Sequence, residues 1–140
     1  MTSAHVHVRR VGYAETDQGG VVHHAVYLEW MEQGRIELMR ARGIDVRRFE
    51  QTEGLTLVVV EAHVRYRAPA RFDDEVAVET RAESVGAASV VFRYRVRRTE
   101  PSGAVTELAE GTVRAACIEL KTGRPRRFPE AFKASLAPAA

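Results

Sequence analysis

The sequence predicts an α+β fold in which a five-stranded antiparallel sheet curls around one long helix. Residues 24–42 carry the long helical periodicity of the chain, whereas β-prone residues alternate with polar ones in one segment before it and four after it. One amphipathic helix is too little to cover both faces of five strands, so we expect the sheet to wrap around the helix. With 140 residues, 45% of them hydrophobic, the chain suits a single domain over residues 1–140.

The first strand and the loop after it are predicted from a change in residue type. Over residues 6–13, β-prone residues alternate with polar ones, which is typical of a strand. Residues 14–22 break this pattern with turn formers and with Gly19 and Gly20, which permit backbone angles that other residues avoid. The segment is therefore predicted to be a tight loop that carries Asp17.

The helix is predicted over residues 24–42 because apolar residues recur there at steps of three and four. Arg40 and Arg42 suit the negative end of a helix, and Gly43 suits the left-handed position that follows it. A linker is expected from there to about residue 54. The face predicted to be buried consists of Tyr27, Trp30, Met31, Gly34, Leu38 and Ala41.

Four strands are predicted after the linker, over residues 57–67, 75–84, 89–98 and 105–120. Gly86 and Gly103 mark turns between them, and an irregularity of the last strand is expected near Gly111. An open edge strand favours pairing between chains, so a homo-oligomer is expected. Inward positions are predicted at Val58, Val60, Ala62, Val64 and Tyr66, at Val76, Val78, Thr80 and Ala82, and at Val90, Phe92, Tyr94 and Val96.

Composition narrows the possible partners and location. The 21 basic residues are nearly balanced by 19 acidic ones, so nucleic-acid binding is not expected. Arg93, Arg95 and Arg97 share one strand face, which is read as solvated, with phosphate contacts as the alternative. Cys117 is the lone cysteine, which fits a reducing compartment. With no long apolar stretch, a cytoplasmic protein without membrane insertion is predicted.

Asp17 is the strongest candidate for a catalytic carboxylate. It lies seven residues ahead of the predicted helix start at His24, where unpaired N–H groups and a positive dipole can stabilise an oxyanion. A carboxylate beside such a carbonyl can attack it or activate water. The structural alternative is that Asp17 only caps its turn and that His24 is only an exposed residue at the helix terminus.

One long motif resembles a known family. Residues 13–27, YAETDQGGVVHHAVY, resemble the signature of the 4-hydroxybenzoyl-CoA thioesterase family, most closely its Tol-Pal-associated acyl-CoA thioesterase branch. Residues 66–74, YRAPARFDD, extend the similarity, which covers nearly the whole chain. Further matching positions on the helix are Trp30, Glu32, Arg35, Glu37 and Leu38.

The resemblance implies a hotdog fold, a dimer or tetramer, and hydrolysis of acyl-CoA thioesters without a metal or other cofactor. It makes Asp17 the nucleophile or general base, and it makes the backbone N–H of His24 the donor to the thioester carbonyl. Substrate contacts are expected from Gly20 and Tyr27, and Arg65 is one candidate for the CoA phosphates. The strand residues Leu57, Val58 and Val59 are expected along the pantetheine channel.

Some positions depart from the family pattern, and some polar residues are candidates for other roles. Relatives often have Asp and an aromatic residue where this chain has Glu15 and His23, and the hairpin at Gly86 lacks the basic run of some relatives. Glu32 is a competing acid, read as a surface residue that pairs with Arg35. The histidines lack the spacing of a familiar metal site.

The alternative functions are a hotdog hydratase or dehydratase and a non-catalytic acyl-CoA-binding module. The hydratase dyad has a histidine five residues after its acid, where this chain has Val22. The binding module is predicted to hold its ligand without turnover.

Overall fold

The computed structural model describes residues 4–137 and contains the five predicted antiparallel strands in one sheet, in the order β1-β3-β4-β5-β2. None of the helices in that range is long and apolar enough to cross a membrane. The elements are β1 (His5–Arg10), a short 3-10 helix (Tyr13–Glu15), α1 (Val26–Ala41), α2 (Val46–Glu53), β2 (Leu55–Tyr66), β3 (Glu75–Val85), β4 (Ser89–Thr99), β5 (Val105–Glu119) and α3 (Glu130–Leu136).

The core lies between α1 and the concave face of the sheet. All inward positions predicted for β3 and β4 are buried, which confirms the two-residue alternation in the central strands. Trp30, Met31 and Leu38 of α1 are fully buried against them. The helix therefore fills the inside of a curled sheet, as its single long apolar face predicted.

Two glycines let α1 lie directly on the sheet. A Cβ atom at Gly34 would collide with the Thr80 side chain and would stand 3.2 Å from the Val78 Cγ1 atom. A Cβ atom at Gly111 would stand 2.5 Å from the His63 carbonyl oxygen and 3.2 Å from the Met31 methyl group. Gly111 itself pairs regularly with both neighbouring strands, and the irregularity that was predicted near it lies at Leu108.

The bounds and the buried face of α1 differ in part from the prediction. The helix begins at Val26, two residues after His24, and Gly43 follows its end in the predicted left-handed conformation. Ala41 is exposed, whereas Arg35 and Met39 are buried. The cause is tertiary, because Arg35 and Met39 line a cavity whose other walls include Phe49 of α2 and Phe132 of α3.

Two short helices were absent from the prediction. The expected linker contains α2, where the Asp45 carboxylate accepts the Arg48 N–H at 3.1 Å and Gly54 ends the helix in a left-handed conformation. Beyond β5, α3 packs through Phe132, whose ring stacks on Phe49 with centroids 4.8 Å apart. Both helices are too short for a periodicity that a sequence reading could separate from a loop.

The edge strands show where alternation misled the prediction. In β2 a bulge at Val60 shifts the register against β5, so Val59 pairs with Ala115 while Ala62 pairs with Val113. Val58 therefore lies on the opposite face from Ala62, and its predicted inward position, like that of Val60, is wrong. At the other edge, β1 ends at residue 10 rather than 13, because a 3-10 helix begins at residue 13.

The outer face of the sheet carries ion pairs. The guanidinium of Arg93 lies 2.8 Å from Glu83, that of Arg95 lies 3.1 Å from Glu107, and that of Arg97 lies 3.5 Å from Glu79. The first two pairs are solvated and contribute little to stability, whereas the Arg97 and Glu79 side chains are only 24% and 13% exposed. The arginine stripe is thus neutralised by neighbouring acids, which agrees with the solvated reading of this face.

Candidate active site

Asp17 lies at the turn of a small hairpin between β1 and α1. Thr16 pairs with Val22, the Asp17 N–H donates to the Val21 carbonyl at 2.9 Å, and the Gly20 N–H donates to the Asp17 carbonyl at 3.0 Å. Gly20 has a φ of 79°, which a glycine adopts without strain. Asp17 and Gly20 are therefore parts of one tight turn, as predicted.

The Asp17 carboxylate is exposed and is held by the backbone of its own turn. Its Oδ1 atom accepts the Gly19 N–H at 2.8 Å and the Val21 N–H at 3.4 Å. Among residues 4–137 no partner is found for Oδ2, which faces solvent. The turn-forming reading is thus correct for one oxygen, and the other oxygen is free for chemistry.

Glu15 anchors this hairpin to the helix. Its two oxygens accept the Arg9 Nη2 donor at 2.8 and 2.7 Å, and they also accept the Gly12 N–H and the Trp30 indole N–H, each at 2.9 Å. The side chains of Arg9 and Glu15 are each 20% exposed, so this pair is shielded from water. Glu15, which departs from the family pattern, therefore positions the Asp17 turn through contacts with β1 and α1.

Replacing Glu15 with Gln is expected to lower the free energy of unfolding by about 1–3 kcal/mol, because Arg9 keeps its charge in a largely buried place without a counterion. Urea denaturation measures the loss. Glu107→Gln is the matched control, because its pair with Arg95 is solvated and is expected to contribute less than about 0.5 kcal/mol. Equal effects of the two substitutions would contradict the anchoring role of Glu15.

The turn before α1 presents a backbone donor. The His23 carbonyl accepts the Val26 N–H at 2.9 Å, and the His23 Nδ1 atom accepts the Ala25 N–H at 3.2 Å. His23 thus holds the turn that leads into the helix, a role that the sequence did not predict. Within the described part of the chain the His24 N–H has no acceptor, so it is available at the positive end of α1.

Tyr66 fixes the peptide that carries this donor. Its hydroxyl donates to the His24 carbonyl at 2.7 Å, and desolvation raises the pKa of Tyr66, so the hydroxyl keeps its proton. The ring also packs against Tyr27, with centroids 5.1 Å apart. The sequence reading placed Tyr66 only in the core, although its position at the start of the YRAP motif was an available signal for a role at the site.

His24, Tyr27 and Tyr66 line a groove of about 380 Å³, with Val22 and residues 67–69 completing its wall. Asp17 lines a different, shallow depression beside Tyr13. In one chain, therefore, the two predicted catalytic residues are joined by the hairpin but do not share one enclosed cavity.

The other predicted contact residues are spread along β2. Leu57 lines a second cavity, Val59 lies on the inner face but is 48% exposed, and Val58 lies on the outer face. Arg65 also lies on the outer face, where it pairs in register with Glu110. The structure thus does not gather these four residues around Asp17.

Glu32 and the adjacent histidines make local contacts with neighbouring side chains. Glu32 is exposed and lies 3.6 Å from Arg35, which matches the reading as a surface acid. The rings of His23 and His24 stack with centroids 4.8 Å apart. No group of His, Cys, Asp and Glu side chains in residues 4–137 is arranged to hold a metal ion. Burial raises the pKa of Cys117, which keeps its thiol protonated.

This fold occurs in known proteins that the chain resembles. The model of the thioesterase-like superfamily matches residues 11–136. The chain belongs to the thioesterase-like superfamily. Acyl-CoA thioesterase YbgC of Haemophilus influenzae is 34% identical over 126 residues, covering 90% of this chain and 89% of that protein. Acyl-CoA thioester hydrolase YbgC of Escherichia coli O157:H7 is also 34% identical, over 89% of this chain and 90% of that protein.

Solved structures share the superfamily fold. A hypothetical protein from Thermus thermophilus superposes with a TM-score of 0.86 at 38% identity, covering 96% of this chain and 95% of that one. A mutant of 4-hydroxybenzoyl-CoA thioesterase, complexed with 4-hydroxybenzoyl-CoA, gives a TM-score of 0.88 at 19% identity over 96% and 99% of the two chains. The predictions of a hotdog fold, of this family and of a thioester hydrolase are thus confirmed.

Proposed function

We propose that this protein is an acyl-CoA thioesterase that hydrolyses an acyl-CoA thioester to a free acid and CoA. The observation that carries the proposal is a solvent-facing Asp17 oxygen on a hairpin that leads directly to the unpaired N–H of His24. A carboxylate and a helix-terminal donor are the two groups that hydrolysis of a thioester needs. The names of the YbgC relatives support acyl-CoA as the substrate class.

In the proposed reaction, the thioester carbonyl oxygen accepts the His24 N–H, which stabilises the negative charge that develops there. Asp17 then follows one of two routes. As a general base it takes a proton from water, the water oxygen bonds to the carbonyl carbon, and the carbon–sulfur bond breaks to release CoA. As a nucleophile it forms a mixed anhydride with release of CoA, and water hydrolyses that anhydride in a second step.

A free-thiol release assay over short, long, branched and aromatic acyl-CoA substrates tests the proposed function. Thiol release from at least one class is expected, and binding without any release would favour a non-catalytic module. A single turnover in oxygen-18 water distinguishes the routes, because label in the Asp17 carboxylate is expected only from the anhydride.

We further propose that the working unit is a homodimer formed through the free edge of β2, with pairs of dimers forming a tetramer. Within the described sheet β2 pairs only with β5, and its exposed Val59 and Val60 lie on this free edge, next to the charged Glu61. A second copy would also enclose the open groove and supply arginines, with Arg65 among the candidates, for the CoA phosphates. A single cytoplasmic domain over residues 1–140 completes the proposal.

Replacing Val60 with Lys is expected to prevent this dimer, because an added charge on the edge must be desolvated when strands pair. The expected loss of association free energy is about 2 kcal/mol or more. Sedimentation at several protein concentrations measures it. The rate of thiol release should fall together with the dimer. Val8→Lys on the other edge strand is the control, since Val8 is 55% exposed and Val60 56%. A Val60→Lys protein with unchanged mass would contradict the proposed interface.

A further inference from the structure

A second cavity lies at the other end of the seam between α1 and β2. It measures about 320 Å³ and takes apolar walls from four elements, through Ile36 of α1, Phe49 of α2, Leu57 of β2 and Phe132 of α3. We call it the distal cavity. Its volume falls within the range of small-molecule pockets. Nothing in the proposed reaction uses it.

Arg35 is a cation in the wall of the distal cavity, and its N–H donors have only distant hydrogen-bond partners. The residue is 9% exposed, yet its two nearest partners are distant, with the Tyr94 hydroxyl at 3.5 Å and a Glu32 oxygen at 3.6 Å. Charge-assisted hydrogen bonds usually measure about 2.7–2.9 Å, and a guanidinium has five N–H donors. Arg35 therefore keeps donor capacity for an acceptor that enters the cavity.

The distal cavity and the groove at His24 are lined by the same two elements, α1 and β2. Both take one wall from α1, and from Tyr27 to Arg35 the helix rises about 12 Å. Between them, the inner face of β2 presents Val59 and Ala62, both exposed. A flexible apolar acyl chain whose thioester lies at His24 can thus follow this surface, where the family resemblance placed pantetheine instead, and place its far end beside Arg35.

The charges of the distal cavity select the kind of acceptor. One guanidinium, Arg35, faces two carboxylates, Glu32 and Glu50, so the lining carries a formal charge of −1. The Glu50 carboxylate already accepts the Thr56 hydroxyl at 2.6 Å. A third carboxylate would be repelled, whereas a hydroxyl can accept from Arg35 and donate to Glu32.

We propose that the distal cavity binds the far end of the acyl group and that Arg35 selects medium-length acyl thioesters with a distal hydroxyl. This specificity rests on the proposed thioesterase function. Arg35 acts in this proposal as a specificity residue and takes no part in the bond-breaking step.

The test compares lauroyl-CoA with its ω-hydroxy and ω-carboxy derivatives in the thiol release assay. We expect kcat/KM for the ω-hydroxy substrate to exceed that for lauroyl-CoA by about tenfold, which corresponds to one hydrogen bond to a charged group, and the ω-carboxy substrate to be the poorest. Arg35→Met should remove this preference, whereas Arg40→Met, on the exposed side of the same helix, should keep it.

Equal kcat/KM values for the three substrates in the unaltered protein would overturn the proposal, whatever the folding of Arg35→Met. So would an unchanged preference in a folded Arg35→Met protein. If no substrate releases thiol, the proposed function fails, and calorimetry with methyl laurate and methyl ω-hydroxylaurate tests the cavity by itself. Tighter binding of the hydroxy ester that Arg35→Met abolishes would support the site, and equal binding would overturn it.

Discussion

Asp17→Asn is expected to reduce thiol release by about 10²- to 10⁴-fold, the usual contribution of a positioned acid or base. The substitution separates chemistry from folding. An Asn side-chain oxygen can still accept the Gly19 N–H that Asp17 Oδ1 accepts at 2.8 Å, so the turn keeps its main hydrogen bond. Only the negative charge is lost, and with it the ability to attack the carbonyl or to take a proton from water. Steady-state kinetics with the best substrate of the acyl-CoA panel measures the loss.

Asp73→Asn is the matched control for this prediction. Asp73 is an exposed aspartate with a φ of 69°, a conformation that Asn also tolerates, and its Arg10 partner is 3.9 Å away. Activity should therefore remain near that of the unaltered protein. If Asp17→Asn were as active as Asp73→Asn, Asp17 would serve only its turn, and the proposed mechanism would be wrong.

Gly34→Ala is expected to lower the stability of the protein although alanine is the better helix former. The new Cβ would overlap the side chain of Thr80, a buried residue of a central strand, and would stand 3.2 Å from Val78 and 3.5 Å from Tyr94. Overpacking of this kind costs about 1–3 kcal/mol or more and outweighs the gain of about 1 kcal/mol in helix propensity. The midpoint of urea denaturation should fall while the slope stays constant.

A double substitution tests the cause of that loss. Thr80→Ala removes the overlapping atoms together with a buried hydroxyl that has no partner among the described residues. In the Gly34→Ala background it should recover most of the lost stability, giving a coupling energy of at least about 1 kcal/mol, within the range for contacting residues. If the effects of the two substitutions on the free energy of unfolding were strictly additive, the added methyl group would be accommodated by a local separation of helix and sheet and would not collide with Thr80.

The central part of the fold could be predicted because local pattern and burial agree there. Period-two alternation correctly assigned the inward residues of β3 and β4, since both strands have neighbours on each side and the helix above them. The same rule failed in β2, where the bulge at Val60 exchanges the two faces. A bulge arises from pairing with another strand, so it cannot be predicted from the alternation of residues within a single strand.

The candidate site was predictable only in its local parts. The Asp17 turn follows from the residues of one short segment, whose glycines and carboxylate make the same hydrogen bonds in almost any context. Glu15, by contrast, has its role through Arg9 and Trp30, which come from β1 and α1. Tyr66 reaches the His24 carbonyl from 42 residues away. Such contacts are created by the assembly of elements and have no local signature.

Local patterns in the sequence predicted an α+β fold of five strands and one long helix, with Asp17 in a glycine-containing turn ahead of that helix, and the resemblance to a known family added the hotdog assignment. Hydrophobic period and turn chemistry are properties of consecutive residues, so they can be recognised from the sequence alone. The burial of Arg35 beside a cavity, the bulge in β2 and the edge of β2 that has no partner in the described sheet arise from the assembly of the elements. Those features depend on which elements meet in space, and burial is a property of the neighbours rather than of the residue.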